Sequence, residues 1–104
     1  MSRDEVLALL KQHQAELSAF GLRRLALFGS AARNEAGPDS DIDVLVEFDG
    51  DITFKRYAKL YDVLEEILPR RVDLATEGGL RPILRETVEK DAYNVPELSA
   101  MWRV

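Results

Sequence analysis

Apolar side chains recur along the first segment at Val6, Leu10, Leu17 and Phe20, with His13 in the same series. Steps of four and three place these positions on one face of a helix. Ser2 with Glu5 three residues later forms a capping box at its start, and Gly21 is a suitable stop. The pattern predicts one helix over about residues 3–19, with His13 at the edge of its buried stripe. Leu25-Ala26-Leu27-Phe28 is a short apolar run between Gly21 and Gly29, which predicts a strand over about 23–28. Gly29-Ser30-Ala31-Ala32-Arg33 reads as a tight turn into a short helix that Gly37-Pro38 ends.

Residues 41–48 form the next strand. Beyond Asp43 it is apolar at consecutive positions, Val44-Leu45-Val46, so both its faces should be covered, as in a central strand. Thr53 is placed to cap a helix whose stripe is Phe54, Tyr57, Leu60 with Tyr61, Leu64, and Ile67 with Leu68. Pro69 closes it. Residues 71–75 are a third strand. Gly78-Gly79 forms a loop, and Pro82 opens a last helix carrying Ile83, Leu84 and Val88. The end of the chain holds Tyr93, Leu98, Met101 and Trp102. This order predicts an α/β (α+β) domain, with helices packed on a small mixed sheet.

Composition narrows the chemistry. A chain of 104 residues is one domain, divided here into residues 1–95 and a C-terminal tail, 96–104. Apolar residues are 46% and charged residues 32%, the balance of a folded globular chain. The absence of cysteine excludes disulfide frameworks, Cys-ligated metals and thiol nucleophiles. One histidine excludes any site that needs two. No apolar run reaches the ~20 residues of a membrane span and no signal peptide opens the chain, so a cytoplasmic protein without a membrane partner is expected. The charge, 14 − 19 = −5, disfavours a dedicated nucleic-acid surface.

The informative stretch runs from Gly29-Ser30 to Asp41-Ile42-Asp43. Residues two apart on a strand share a face, so the carboxylates of Asp41 and Asp43 emerge together. Two such charges ~4 Å apart repel by ~4 kcal/mol at an effective dielectric of 20, and a divalent cation reverses that sign. Carboxylates without His or Cys suit a hard ion, Mg²⁺ or Mn²⁺, which commonly completes its shell with water and phosphate. That implies a nucleoside triphosphate such as ATP. Gly29 allows close backbone approach, Ser30 adds a hydroxyl at a helix start, and Arg33 one turn on can reach a phosphate. Asp73 is a third acid, in the short apolar strand Val72-Asp73-Leu74-Ala75. Where that strand lies beside the second, three carboxylates can serve two metal ions in phosphoryl transfer. The simpler roles are an N-cap for Ser30, a partner of Glu35 for Arg33, and a salt bridge to Arg70 or Arg71 for Asp73.

Gly29-Ser30, Asp41-Ile42-Asp43 ten residues further on, and Arg71-Val72-Asp73-Leu74 resemble the polymerase-β-like nucleotidyltransferase superfamily. The small size, the run from Phe28 to Arg33, and Glu89-Lys90-Asp91-Ala92-Tyr93 are similar to its minimal nucleotidyltransferase (MNT) branch. The resemblance covers residues 22–95. It departs from the family at Asn34 and at Pro69-Arg70, where glycine is usual; Asn tolerates the left-handed backbone such a turn needs. The resemblance implies a nucleotidyltransferase fold, with metals on Asp41, Asp43 and Asp73 and the triphosphate on Gly29, Ser30 and Arg33. It further implies transfer of AMP to a tyrosine of a HEPN-domain toxin, for which the protein would be the antitoxin. Two other readings stand beside it: a binding module that masks its partner without catalysis, and a small-molecule nucleotidyltransferase of the aminoglycoside-modifying kind.

Overall fold

The structure is a computed structural model that describes residues 2–34, 40–76, 90, 92–95, 98 and 99. Its elements are α1 (Arg3–Gln12), α2 (Gln14–Ser18), β1 (Leu22–Phe28), α3 (Gly29–Ala32), β2 (Ile42–Phe48), α4 (Phe54–Ile67), β3 (Val72–Thr76) and β4 (Tyr93–Asn94). The strands form one mixed sheet in the order β3-β2-β1-β4. β1 runs antiparallel to β2, with Phe28 opposite Asp43. β3 runs parallel to β2, with Asp43 opposite Asp73. β2 is therefore interior, as its uninterrupted apolar run requires.

Alternation sorts the two faces. Ile42, Val44, Val46 and Phe48 of β2 share a face with Leu25 and Leu27 of β1 and Val72 and Leu74 of β3. Onto this face pack Val6, Leu10 and Leu17 from α1 and α2, and Leu60, Leu64 and Leu68 from α4 and its end, forming the core. The opposite face carries Asp43, Leu45 and Glu47 of β2 beside Phe28, Ala26 and Arg24 of β1. Leu45 and Ala26 are fully buried as well, so the middle of the sheet is covered on both sides.

Two expectations are corrected. The first helix is broken: His13, at φ −104° and ψ 22°, ends α1 and begins α2. Val6, Leu10 and Leu17 all remain buried, because one irregular residue does not move them off the core face. His13 is half-buried beside Glu16, with Nδ1 to Oε2 at 3.4 Å. Phe54 does not belong to the buried stripe of α4. It is 85% exposed, because it is the first helical residue, ahead of the turns that reach the sheet. The end of the described chain joins the fold. Tyr93 and Asn94 pair with Leu27 and Ala26 of β1, Val95 donates its N–H to the Leu25 carbonyl at 2.8 Å, and Leu98 is buried. The expected helix from Pro82, the Gly37-Pro38 and Gly78-Gly79 turns, and Met101-Trp102 lie outside the described residues.

Arg56 ties the far end of the sheet together. Thr53 Oγ1 caps α4 by accepting from its N–H at 3.1 Å. Its guanidinium donates to the carbonyls of Phe20 at 2.7 Å and Asp51 at 2.5 Å, with longer bonds to Gly21 and Asp49 at 3.3 Å. It also lies 4.8 Å from the Phe48 ring centre. These groups come from the turn before β1 and the turn after β2, which a backbone bond from the Asp49 N–H to the Gly21 carbonyl at 2.7 Å also joins. Arg56→Met should lower stability by about 1–2 kcal/mol in urea melts. Arg56→Lys should recover only part of that, because an ammonium cannot span four carbonyls.

Candidate active site

The sheet register assembles the site at the opposite end. Phe28 pairs with Asp43, so the chain turns into α3 directly beside the Asp43 carboxylate. Gly29 makes that turn at φ +63°, and a Cβ there would collide with Asp43 Oδ2 and lie 3.3 Å from its Cγ. Glycine is required twice over, by the left-handed backbone and by the space that Asp43 fills. The Gly29 carbonyl accepts from the Arg33 N–H at 3.2 Å, which closes the single turn of α3. Asn34 ends it at φ 60°, so the turn expected at this departure from the family pattern is kept.

The predicted site residues converge on this end of the sheet. Asp43 is half-buried, and Asp73 stands abreast of it on β3. Asp41 is exposed just before β2, two residues from Asp43. Ser30 is half-buried behind Gly29, and Arg33 is exposed one turn along. The Asp43 carboxyl is pushed up to about 6, first by burial, then by the charges of Asp73 and Asp41 and a hydrogen bond to Asp73, with Arg33 opposing. Asp73 therefore engages Asp43, and Arg33 acts electrically on the site.

The acids do not close into a cage. Among the described residues, no three His, Cys, Asp or Glu side chains gather closely enough to hold a metal ion. Asp43 and Asp73 meet, and the charge of Asp41 also reaches Asp43. The donor set still fits a magnesium-like ion: the oxygens are hard, and such an ion needs only one or two protein carboxylates when phosphate and water supply the rest.

The sequence profile of the nucleotidyltransferase domain matches residues 9–94. The chain belongs to the nucleotidyltransferase domain family. A Thermococcus cleftensis protein named protein adenylyltransferase MntA is 34% identical over 96 residues, which is 91% of this chain and 97% of that protein. A Methanocaldococcus jannaschii protein assigned as a protein adenylyltransferase is 37% identical over 95 residues, 88% of this chain and 95% of that one. A solved structure assigned as a minimal nucleotidyltransferase superposes with a TM-score of 0.79 at 39% identity, covering 89% of this chain and 95% of the other. A chain of the complex between a tri-AMPylated Shewanella oneidensis HEPN toxin and its MNT antitoxin shares the fold. Its TM-score is 0.57 at 19% identity, over 82% of this chain and 70% of that one.

Two contributions to this candidate site escape the sequence. One is β4, because the Tyr93 and Asn94 pairing carries no periodic signal in two residues. The other is Arg3, whose guanidinium and backbone reach residues of the α3 turn about thirty positions away. The capping box located the start of α1 but not what its first residue touches.

Two substitutions test the geometry. Gly29→Ala should lose about 1–2 kcal/mol from left-handed strain alone, and it should displace the Asp43 carboxylate, so thermal stability and nucleotide affinity fall together. For Asp43, a folded pKa raised above the ordinary 3.8 means that ionisation destabilises the fold. The stabilising contribution is present below about pH 4 and is lost as pH rises through about 6. Asp43→Asn should therefore raise the metal-free melting temperature by a few degrees at pH 8. That gain should vanish at pH 4, and a drop at pH 8 would make Asp43 a structural ion-pair partner.

Proposed function

We propose that this nucleotidyltransferase moves AMP from ATP to a hydroxyl on a partner protein, a tyrosine of a cognate HEPN toxin, and so acts as its antitoxin. The observation that carries the reading is Asp43 and Asp73 abreast on adjacent strands beside the Gly29 turn. A relative of nearly equal length, 34% identical, that is named a protein adenylyltransferase supports the acceptor class. The MNT resemblance supplies the HEPN partner.

The reaction makes one bond and breaks one. The acceptor oxygen attacks the α-phosphorus of ATP, the bond to the β-phosphate oxygen breaks, and pyrophosphate leaves with that electron pair. Asp41, Asp43 and Asp73 would hold two Mg²⁺ ions, or Mn²⁺, which when bound neutralise phosphate charge and acidify the acceptor. Gly29 allows the triphosphate to approach the backbone, Ser30 donates its hydroxyl, and Arg33 offers its guanidinium to phosphate oxygens. Asp73, the exposed member of the pair, is the group best placed to receive the acceptor's proton. No helix among the described residues is long and apolar enough to cross a membrane, and cytoplasmic ATP would be the donor pool. The division at residue 95 remains part of this proposal: residues 1–95 hold the site and 96–104 are the tail.

The test uses this protein, ATP, Mg²⁺ and the HEPN protein encoded beside it. Wild type should add AMP mass to that partner, the mass should survive denaturing separation, and one molecule should silence many. Asp41→Asn with Asp43→Asn should cut transfer on the order of 100-fold or more while the complex still forms. Neutralisation at a fixed ratio by the double variant, without added mass, would establish masking instead. Transfer to an aminoglycoside with none to the protein would establish the small-molecule reading.

A further inference from the structure

The turn that would carry the nucleotide is too small to hold itself. α3 has four residues, and isolated helices shorter than ~12 residues are marginal in water. Its position must come from outside, and the contacts come from Arg3 at the start of α1. The Arg3 backbone N–H donates to Asn34 Oδ1 at 2.8 Å. Arg3 Nη1 donates to the Ala32 carbonyl at 3.2 Å. The guanidinium carbon lies 4.8 Å from the centre of the Tyr93 ring.

The capping is reciprocal. The first N–H groups of a helix and its last carbonyls lack partners within the helix. Asn34, which ends α3 at φ 60°, satisfies the first N–H of α1. Arg3, which begins α1, satisfies the last carbonyl of α3. Ser2 Oγ meanwhile takes the Glu5 N–H at 3.2 Å, which fixes the frame that holds Arg3. Tyr93 pairs with Leu27, two residues before Gly29, so the same guanidinium rests on the strand system that delivers the turn. Arg3 Nε has no acceptor, which matches a guanidinium laid against a ring rather than into solvent. The Asn34 and Ala32 contacts grip the far end of α3, away from Gly29, which abuts the Asp43 carboxylate.

We propose that Arg3 is a positioning residue for the nucleotide-binding turn, acting through Asn34 and Ala32 and seated on Tyr93. The inference rests on the reading of Gly29 and Ser30 as the nucleotide turn. Arg3 touches no substrate in this scheme. It fixes backbone placement, and catalytic and binding geometry is sensitive to displacements on the order of 1 Å. Lysine is a poor substitute, because an ammonium cannot donate to a carbonyl and lie flat on a ring at once.

The experiment compares Asn34→Gly, Arg3→Lys and Arg3→Ala with Val6→Ala, which weakens the core side of α1 without touching the clamp. Asn34→Gly keeps the left-handed turn and removes only the acceptor. MgATP affinity should fall about fivefold in Asn34→Gly and about tenfold in Arg3→Ala, with Arg3→Lys between wild type and Ala. In the transfer assay the loss should appear in KM for ATP rather than in kcat. Amide exchange of residues 30–33 should quicken in Asn34→Gly and Arg3→Ala but not in Val6→Ala at an equal drop in melting temperature. Unchanged exchange and affinity in both clamp variants would overturn the proposal, as would equal losses in Val6→Ala. If exchange responds as expected but wild type does not bind MgATP, the clamp stands and the nucleotide reading of the turn fails.

Discussion

Asp43 can be where it is because residue 29 has no side chain. The carboxylate occupies the space a Cβ would take at Gly29, and β1–β2 pairing brings the two into contact. Parallel pairing with β3 then sets Asp73 beside Asp43. Parallel strands need a long crossover, and α4 provides it while covering the core face of the sheet. Thus the helix that stabilises the fold is also the connection that brings the third acid home. Moving any of these pieces by one residue would turn a carboxylate to the wrong face.

The arrangement trades stability for readiness. Burial, and after it the charges of Asp73 and Asp41, push the Asp43 carboxyl up to about 6. In a fold selected for stability alone, an amide or an apolar residue at 43 would serve better. The arginines sharpen the contrast. The guanidinium groups of Arg56 and Arg3 direct their described hydrogen bonds to main-chain carbonyls and so strengthen turns. The Arg33 charge acts on Asp43, and Arg33 stands on the turn where a phosphate would also draw it.

What the sequence disclosed was local in origin. Gly29-Ser30 and Asp41-Ile42-Asp43 could be read because strand alternation fixes which side chains emerge together. Asn34 could be read because few residues other than glycine accept a positive φ. Thr53 could be read because a cap acts over three residues. The break at His13 was hidden, since a single irregular residue leaves the burial of Leu10 and Leu17 unchanged. Phe54 was misplaced because periodicity does not say where a helix overhangs its sheet. β4 pairing, the bonds of Arg3 to the α3 turn and those of Arg56 to Phe20 and Gly21 join residues roughly 30 to 70 positions apart, and no periodic pattern carries information over that distance.

The two arginine clamps divide the molecule's labour. At the end of the sheet away from the site, Arg56 binds the turns flanking β1 and β2 and presents Ile52 and Phe54 outward on a fixed backbone. At the site end, Arg3 binds only one side of a four-residue turn and leaves the other side open. An active site needs rigid placement and unsatisfied groups together, and these conflict if the same atoms must provide both. Here they are separated along α3: its last carbonyl is tied to α1, while its first residues face the acids. Rigidity comes from a helix about thirty residues away in sequence, so the turn itself needs no side chain larger than Ser30 near Asp43. That separation explains how so short an element can lie beside a repelling pair of carboxylates without being pushed aside.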